Sequence, residues 1–554
     1  MPAASSEAAA TTQLPGTRSP WSRSGESLGL AEAPIVALVI AITAAGLLVR
    51  LPAFGDSLFG DEVGAYWVIT GHGLGTVMHL LRGHSPELNP PLWFVLAWIS
   101  EKLFGVSPQS LKLVSLLAGT ATIPLTYLLG RWTVSVRAGL VASALAALSP
   151  FLIYYSTEAR PYALLVLLCL LSSLALLQAL RSGRAWWWAA YALCSCAAAY
   201  THYTAVFLLG AQFVWALVTQ PQARRALVAA NLAAVVAYLP WLPQLIRTSH
   251  SPGTKLYQTL EPFGLHAMRV DLERWSLGHP YLPISSLPGR PAVVLVLAGV
   301  VVALVGAAVA WRRRLRTVRL SARGALVIVL AGAAPVGIAV YSALHESVWS
   351  ARNIISSWPG LAVALGALLT LAGRPWRWAA VALALVGFGV GAVDMTESFA
   401  QRPDYQSAAA YIDRRDPGSA PVVDLVAPTP GPPTETEAAL AIQRTRPRPV
   451  LRIGIPPLRA VLAAPPYASL PVPGGEVIAR QAAALAGHGL LFIVAPTAVS
   501  IGHLEATRRR HLRDDGTELG DFATFLGALP ARFHPLGSRT FPGLAPVTVY
   551  VYRG

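Results

Sequence analysis

The sequence predicts a polytopic α-helical membrane protein with a small soluble α/β domain at its C-terminal end. Three observations predict it. Hydrophobic residues make up 54% of the chain and charged residues only 13%, with a mean hydropathy of +0.52. A soluble chain carries roughly 25% charged residues, so this one lacks the charge to cover a water-facing surface. Apolar runs near the length of a membrane-spanning helix recur from residue 34 to residue 394. Beyond 394 they give way to short β-branched segments punctuated by Pro and Gly.

Residues 1–33 are rich in Ser, Ala, Thr and Pro, show no apolar period, and read as a disordered cytoplasmic tail. The run 34–54 follows this long polar lead without a small-residue cleavage pattern, so it reads as an uncleaved span. Further runs lie at 110–131, 137–155, 161–180, 185–200, 203–219, 226–243, 291–311, 324–341, 354–372 and 376–394. Together with the first they predict about 11 spans. The segment 90–105 (PPLWFVLAWISEKLFG) is apolar too, but it begins with two prolines and contains Glu101 and Lys102.

Charge decides where that segment belongs. If it does not span and the N-terminus is cytoplasmic, the short inner loops hold fourteen arginines: Arg131, Arg137, Arg181, Arg184, Arg224, Arg225, Arg312, Arg313, Arg314, Arg316, Arg319, Arg323, Arg374 and Arg377. Every acidic residue between 34 and 394 then falls outside. If it spans, every later loop reverses and the positive-inside bias is violated throughout. The expectation is therefore a membrane unit over 34–394, with outer loops 55–109 and 244–290 and a helix at 90–105 lying in the outer interface. By parity, residues 395–554 lie outside. There DYQSAAAYIDRR reads as an amphipathic helix, and PVVDLV, PVLRIGI, GLLFIVA and VTVYVY as strands. EVIARQAAALAG reads as a helix and APTPGPPTETE as a loop.

Several function classes are excluded. The net charge of +16 reflects 40 arginines and three lysines placed between apolar runs, a pattern that membrane topology and a GC-rich genome explain; no nucleic acid partner is expected. Cys169, Cys194 and Cys196 sit in apolar runs and form no CxxC pair or disulfide framework. His72, His79 and His84 have spacings that match no metal-ligand motif, so no metal is expected and no cofactor is implied. The chain has no Walker motif, dinucleotide fingerprint, Gly-x-Ser-x-Gly elbow or HExxH.

The candidate residues form islands at the outer ends of spans. Asp61 and Glu62, in GDEVGAYW, follow the first span. They read either as a solvated helix cap or as functional carboxylates at a boundary where charge is costly. YYSTEARPYALL brings Tyr155, Glu158, Arg160 and Tyr162, which read as a local ion pair with interfacial anchors or as cavity residues. THYTAVF adds His202 and Tyr203, and HESVWSARN adds His345, Glu346, Arg352 and Asn353. Arg352 stands ahead of an apolar helix, where a guanidinium either snorkels or grips a phosphate through two donors. The loop 244–290 supplies Lys255, Arg269 and Arg274 among aromatics, which suits a lid against lipid headgroups.

Taken together, GDE after the first span, NPPLWFVL, YYSTEARPYALL, THYTAVFLL and ARNIISSWPGLAVAL resemble the GT-C superfamily of membrane glycosyltransferases. The branch they look most like is that of the protein O-mannosyltransferases and lipid A aminoarabinose transferases. The resemblance covers roughly 34–394, and DYQSAAAYI resembles the start of the outer domain that many bacterial members carry. It implies a GT-C-like fold and transfer of a sugar, mannose, arabinose or similar, from a polyprenyl-phosphate donor. The acceptor would be a hydroxyl on a cell-envelope glycan, lipid or protein at the outer face of the plasma membrane, with inversion. It further implies Asp61, with Glu62 beside it, and Glu158 as catalytic carboxylates and Arg352 as the donor phosphate ligand; Arg160 and Lys255 are further candidate cations for that phosphate. Tyr155, Tyr162, His202, Tyr203, Asn89 and His84 would line the substrate cavity. Two positions depart from the pattern: Asn89-Pro90-Pro91 stands where relatives often have His-Pro-Pro, and Arg352-Asn353 where they often have Arg-Tyr. The outer domain is expected to capture acceptor or close the cavity without carrying the base. A lipid transporter or flippase would also use membrane charges, but here they gather at one face; a non-catalytic scaffold would not need the charged islands.

Overall fold

In the computed structural model, which describes residues 32–85, 87–249, 263–314, 321–426, 432–443, 447–454, 474–496 and 520–554, each apolar run read from the sequence is helical. The tail assigned to 1–33 lies, but for its last two residues, outside the described residues. Helices α1 (Ala33–Phe54), α2 (Asp61–Ile69), α3 (Leu74–His79), α4 (Leu92–Phe104), α5 (Pro108–Thr133), α6 (Val136–Leu148), α7 (Pro150–Ser156) and α8 (Tyr162–Ser182) build the half that holds the site. Seven helices among the described residues are long and apolar enough to cross a membrane, and eight if the bent pair of α6 and α7 is one span. The runs 185–200, 203–219 and 354–372 form shorter helices, Ala185–Ala199, Ala205–Thr219 and Trp358–Leu371. At 1.5 Å per residue these reach only about 20 Å, short of the roughly 30 Å hydrocarbon layer. Apolar side chains such as Leu48, Leu117, Leu193, Val218, Leu232 and Leu297 face outward, as helices against lipid require.

Helices α1 and α5 run antiparallel. Lys112, near the start of α5, donates to the backbone oxygen of Asp56 just past α1 at 2.7 Å. At the other end Arg131 pairs with Glu32 at 2.7 Å. The chain from 55 to 107 therefore returns to the end it left. Helix α4 buries Trp93, Phe94 and Ala97 and exposes Leu103 and Phe104, a two-faced helix suited to an interface.

The 61° bend between α6 and α7 has a local cause and a distant partner. Pro150 has no N–H to give the carbonyl four residues back. Arg50, fully buried in α1, donates Nη2 to Ala146 O at 3.2 Å and Nη1 to Ala147 O at 3.0 Å and Gly46 O at 2.6 Å. Its guanidinium thus satisfies helix-end carbonyls that no water can reach.

The C-terminal domain is a three-layer α/β unit. Strands β1 (Val422–Val426), β2 (Val450–Gly454), β3 (Leu490–Pro496), β4 (His534–Phe541) and β5 (Val547–Arg553) form one sheet of order β2-β1-β3-β5-β4. Strand β1 is parallel to β2 and β3, whereas β3–β5 and β5–β4 are antiparallel. The period-2 alternation sends Val423, Leu425, Leu491 and Ile493 toward helices Gly475–Ala486 and Gly520–Ala528. Val422, Phe492 and Val494 point the other way, onto helices Tyr405–Arg415 and Glu435–Ile442. The four predicted strands are present, but β4 was not predicted. It is an edge strand whose residues are exposed except Phe541, so HPLGSRTF shows no apolar alternation. The predicted loop APTPGPPTETE is also corrected. Its described end is a helix, Glu435–Ile442, opened by a capping box in which the Thr434 hydroxyl and the Glu437 carboxylate each accept from the other's N–H. Likewise 244–290, read as a loop, carries the helix Leu265–Leu277.

Candidate active site

The site begins where α2 begins. Gly60 precedes it at φ 58°, a left-handed conformation that favours glycine and turns the chain sharply into the helix. Asp61 and Glu62 then occupy adjacent helical positions about 100° apart, and their surroundings differ completely. Glu62 is fully buried. Its Oε1 accepts from the Ala159 N–H at 2.7 Å, and its Oε2 accepts from the Phe59 N–H at 3.1 Å and Arg402 Nε at 2.6 Å. Lys112 Nζ lies 3.9 Å away. The helix start is thus held by Glu62, and the Asp61 side chain makes no cap. Asp61 is 39% exposed, and its Oδ2 accepts from Arg352 Nη1 at 2.6 Å. Partial burial alone would raise the Asp61 carboxyl. The charges of Arg352 and Arg160 outweigh it and hold this group below the usual carboxylate range.

Arg352 sits in the turn before Ile355–Ser357 and the helix Trp358–Leu371. Its neighbour Asn353 donates Nδ2 to Val348 O at 2.7 Å and pins that turn, which gives the departure from Arg-Tyr a structural role. Arg160 is buried and makes a two-pronged pair with Glu87, Nη2 to Oε1 at 3.2 Å and Nη1 to Oε2, while Nη1 also donates to Asp61 O at 3.2 Å. Asn89 donates Nδ2 to Glu87 Oε1 at 2.7 Å, so the Asn-Pro-Pro turn carries the partner of Arg160.

Glu158 is buried, and its Oε2 has no hydrogen-bond partner. Burial first, then the charge of Glu62, pushes its carboxyl up to about 8 against the pull of Arg402 and Arg160. A charge count agrees. Around this end of the bundle Asp56, Asp61, Glu62 and Glu87 face Lys112, Arg160, Arg352 and Arg402, four against four. Glu158 is the additional carboxyl, with no ion pair of its own among the described residues, and burial favours its neutral form. The consequence is measurable. The unfolded group ionises near its ordinary 4.5 while the folded one stays protonated to about 8, so stability is lost as pH rises through that window, by at most about 1.4 kcal/mol per unit. Glu158→Gln is always neutral and should flatten that slope in thermal unfolding of the detergent-solubilised protein. Equal slopes for the two proteins would mean that Glu158 is ionised when folded.

Aromatic rings form the adjoining wall. Tyr155 lies edge-on to Tyr154 and Tyr162, with centroids 5.4 and 5.0 Å apart, and Tyr162 is 5.4 Å from His202. His202 bonds Thr204 Oγ1 through Nδ1 at 2.8 Å, and burial, with the charges of Arg160 and Arg352, lowers it to about 3. It is therefore a neutral ring, unable to serve as a cation for phosphate. Tyr203 lies farther along, where its hydroxyl accepts from Trp241 Nε1 at 3.3 Å and contacts Thr248 Oγ1 at 3.4 Å. Lys255 and the side chain of His84 lie outside the described residues. No group of three or more His, Cys, Asp or Glu among the described residues is placed to hold a metal.

Sequence reasoning missed Glu87, Lys112, Arg402 and Tyr281 as members of the site. Two of them stood beside motifs it did read: Glu87 two residues before Asn89-Pro90-Pro91, and Arg402 just before DYQSAAAYI. Lys112 lies in an apolar run, and Tyr281, whose ring centroid is 5.5 Å from that of Tyr154, in a loop without a motif.

Residues 88–246 match the family described as dolichyl-phosphate-mannose-protein mannosyltransferase. No curated protein matches the chain. Among solved structures it is similar to ArnT from Cupriavidus metallidurans in the apo state, with a TM-score of 0.52 and 14% identity over 94% of this chain and 98% of that one. The same ArnT bound to undecaprenyl phosphate aligns with a TM-score of 0.51 and 13% identity over 93% and 98%. The Archaeoglobus fulgidus oligosaccharyltransferase tethered to an acceptor peptide aligns with a TM-score of 0.50 and 12% identity over 89% and 71%. These likenesses show the fold. It is the multi-pass GT-C membrane fold with a small C-terminal sheet domain, the superfamily the sequence resembles.

Proposed function

We propose that the protein is a glycosyltransferase that moves a sugar from a polyprenyl-phosphate donor to an acceptor hydroxyl at the outer face of the plasma membrane, with inversion. The observation that carries this reading is the Asp61–Arg352 pair, a solvent-reachable carboxylate 2.6 Å from a guanidinium at one end of an apolar helix bundle. Of the other carboxylates around it, Glu62, Glu87 and Glu158 are buried, and Asp56 accepts the Arg402 N–H. Such a pair has the two groups the reaction needs. The acceptor oxygen attacks the anomeric carbon from the side opposite the phosphate, and the bond from that carbon to the phosphate oxygen breaks. The electron pair leaves with polyprenyl phosphate, and Asp61 takes the acceptor proton. Phosphate is a stable anion, so the useful assistance is a fixed cation, Arg352, against the departing charge.

Ligand exchange on Arg352 links the two roles. Donor phosphate competes with Asp61 for the same guanidinium, and a carboxylate released from its cation is a stronger base. Glu62 holds α2 in place rather than reacting. Neutral Glu158 and the Tyr155–Tyr162 wall orient the sugar or the acceptor, and Arg160 holds Glu87 and the Asp61 backbone. Lys255 and His84 are assigned from the sequence alone to the phosphate site and the cavity rim. The donor class is supported by the mannosyltransferase family match and by undecaprenyl phosphate in the ArnT complex. Mannose or arabinose, and a glycan, lipid or protein of the cell envelope, are the sugars and acceptors in keeping with it. The arginine-rich short loops support a cytoplasmic N-terminus and an extracytoplasmic 395–554.

The test is incubation of the reconstituted protein with a panel of polyprenyl-phosphate sugars, with chromatographic detection of the sugar and of the polyprenyl phosphate that leaves. Expected is sugar release or transfer from at least one donor. Product should appear on the membrane face where an impermeant thiol reagent labels Ser419→Cys. No turnover with any donor, or product on the other face, would overturn the proposal.

A further inference from the structure

The outer domain is fastened to the few residues that flank the proposed base. We propose that Arg402 and Glu435, both outside the membrane unit, are positioning residues for Asp61, so that seating of the outer domain aligns the base. The inference rests on Asp61 being the base, as proposed above.

The contacts converge on residues 56–62. The Arg402 N–H donates to Asp56 Oδ2 at 3.2 Å, and its Nε donates to Glu62 Oε2 at 2.6 Å. The Gln406 N–H donates to Ser57 Oγ at 2.9 Å. The Gly60 N–H donates to Glu435 Oε1 at 3.2 Å. Phe59 packs on the outer-domain core beside Tyr405, while Ala438 and Ile442 of helix Glu435–Ile442 pack in the cluster that holds Val63 and Tyr66 of α2. One short helix therefore has a face in each core.

Arg402 is the centre of this joint. It is carried by the linker after the last apolar helix, Trp376–Asp394, and is buried with its guanidinium 4.5 Å from the Tyr154 ring centroid. A guanidinium is costly to bury, and one that pairs with Glu62 there ties the linker to the residue after Asp61. Asp61 itself touches neither Arg402 nor Glu435. The effect runs through the backbone, from Gly60 on one side and Glu62 on the other. A displacement of about 1 Å at a reacting group costs on the order of 10²-fold in rate. This joint is therefore enough to govern turnover without touching substrate.

The test uses the full chain in nanodiscs, with Arg402→Lys and Glu435→Ala assayed for kcat, donor KM, melting temperature and hydrogen exchange. Expected is a kcat lower by about tenfold or more for Arg402→Lys and several-fold for Glu435→Ala. Donor KM should stay within about twofold, because Arg352 still binds the phosphate. Exchange should rise in peptides covering 55–69 and not in those covering the Trp358–Leu371 helix. Unchanged kcat in folded variants, or a raised KM at unchanged kcat, would overturn the inference, and so would unaltered exchange over 55–69. If Arg402→Lys fails to fold, Glu435→Ala decides alone. Failure of the proposed function shows differently, as a wild-type protein inactive on every donor; the exchange measurement then still decides whether the joint holds α2.

Discussion

Asp61→Asn is expected to lower transfer by about 10²–10⁴-fold while the protein folds and binds donor as before. The substitution keeps the size of the side chain and removes the one carboxylate of the cluster that is open enough to reach an acceptor. A helix-capping role would give a different result, a loss of about 1 kcal/mol of stability with turnover nearly intact. The geometry speaks against that role, since the Asp61 side chain caps nothing and Glu62 accepts the Phe59 N–H instead. Removing Asp61 also removes the group that competes for Arg352, so donor affinity should hold or tighten. Single-turnover rates and donor binding measured on the same preparation separate the two quantities. Near-normal transfer by a folded Asp61→Asn protein would end the assignment of Asp61 as the base.

Arg352→Ala is expected to weaken both donor binding and turnover. A charge-assisted hydrogen bond to phosphate contributes about 1.5–3 kcal/mol, so donor KM should rise by roughly ten- to a hundredfold. The variant should also shift the pH profile. Asp61 must be deprotonated to act as a base, and in the wild type Arg352 and Arg160 hold its carboxyl low. Activity that depends on it is kept above that depressed value and lost as pH falls through it. Without Arg352 the carboxyl moves up, so the acidic limb of kcat/KM should move to higher pH. An unmoved limb would mean that the titrating base does not face Arg352.

The contrast between Asp61 and Glu62 shows where reading the chain stops. Both were legible as a carboxylate pair after a span, and both were assigned to chemistry. Adjacent helical positions diverge by about 100°, and nothing in GDEVGAYW says which one meets Arg352 and which one meets Arg402. The partners lie 291 and 340 residues away. The same holds for Arg160, read as a phosphate ligand, whose guanidinium is occupied by Glu87 73 residues earlier. Arg402 carried no motif of its own. Lys112 and Arg50 lay hidden inside apolar runs, where a cation reads as an interruption until the carbonyls it serves are known.

What the sequence by itself determined was most of what depends on a short window, strand β4 and the helices Leu265–Leu277 and Glu435–Ile442 apart. The apolar runs had to be helices, because only internal hydrogen bonding satisfies a backbone in lipid. The alternating segments of 421–552 had to be strands, and the charged islands had to sit at span ends, where burial is least costly. The tertiary structure decided which charge meets which. It also decided that Asp61 is open while Glu62 is sealed, and that the C-terminal domain grips α2 through Arg402 and Glu435. Those outcomes follow from electrostatic pairing in a low-dielectric interior, which selects partners by distance in space and is indifferent to their separation along the chain.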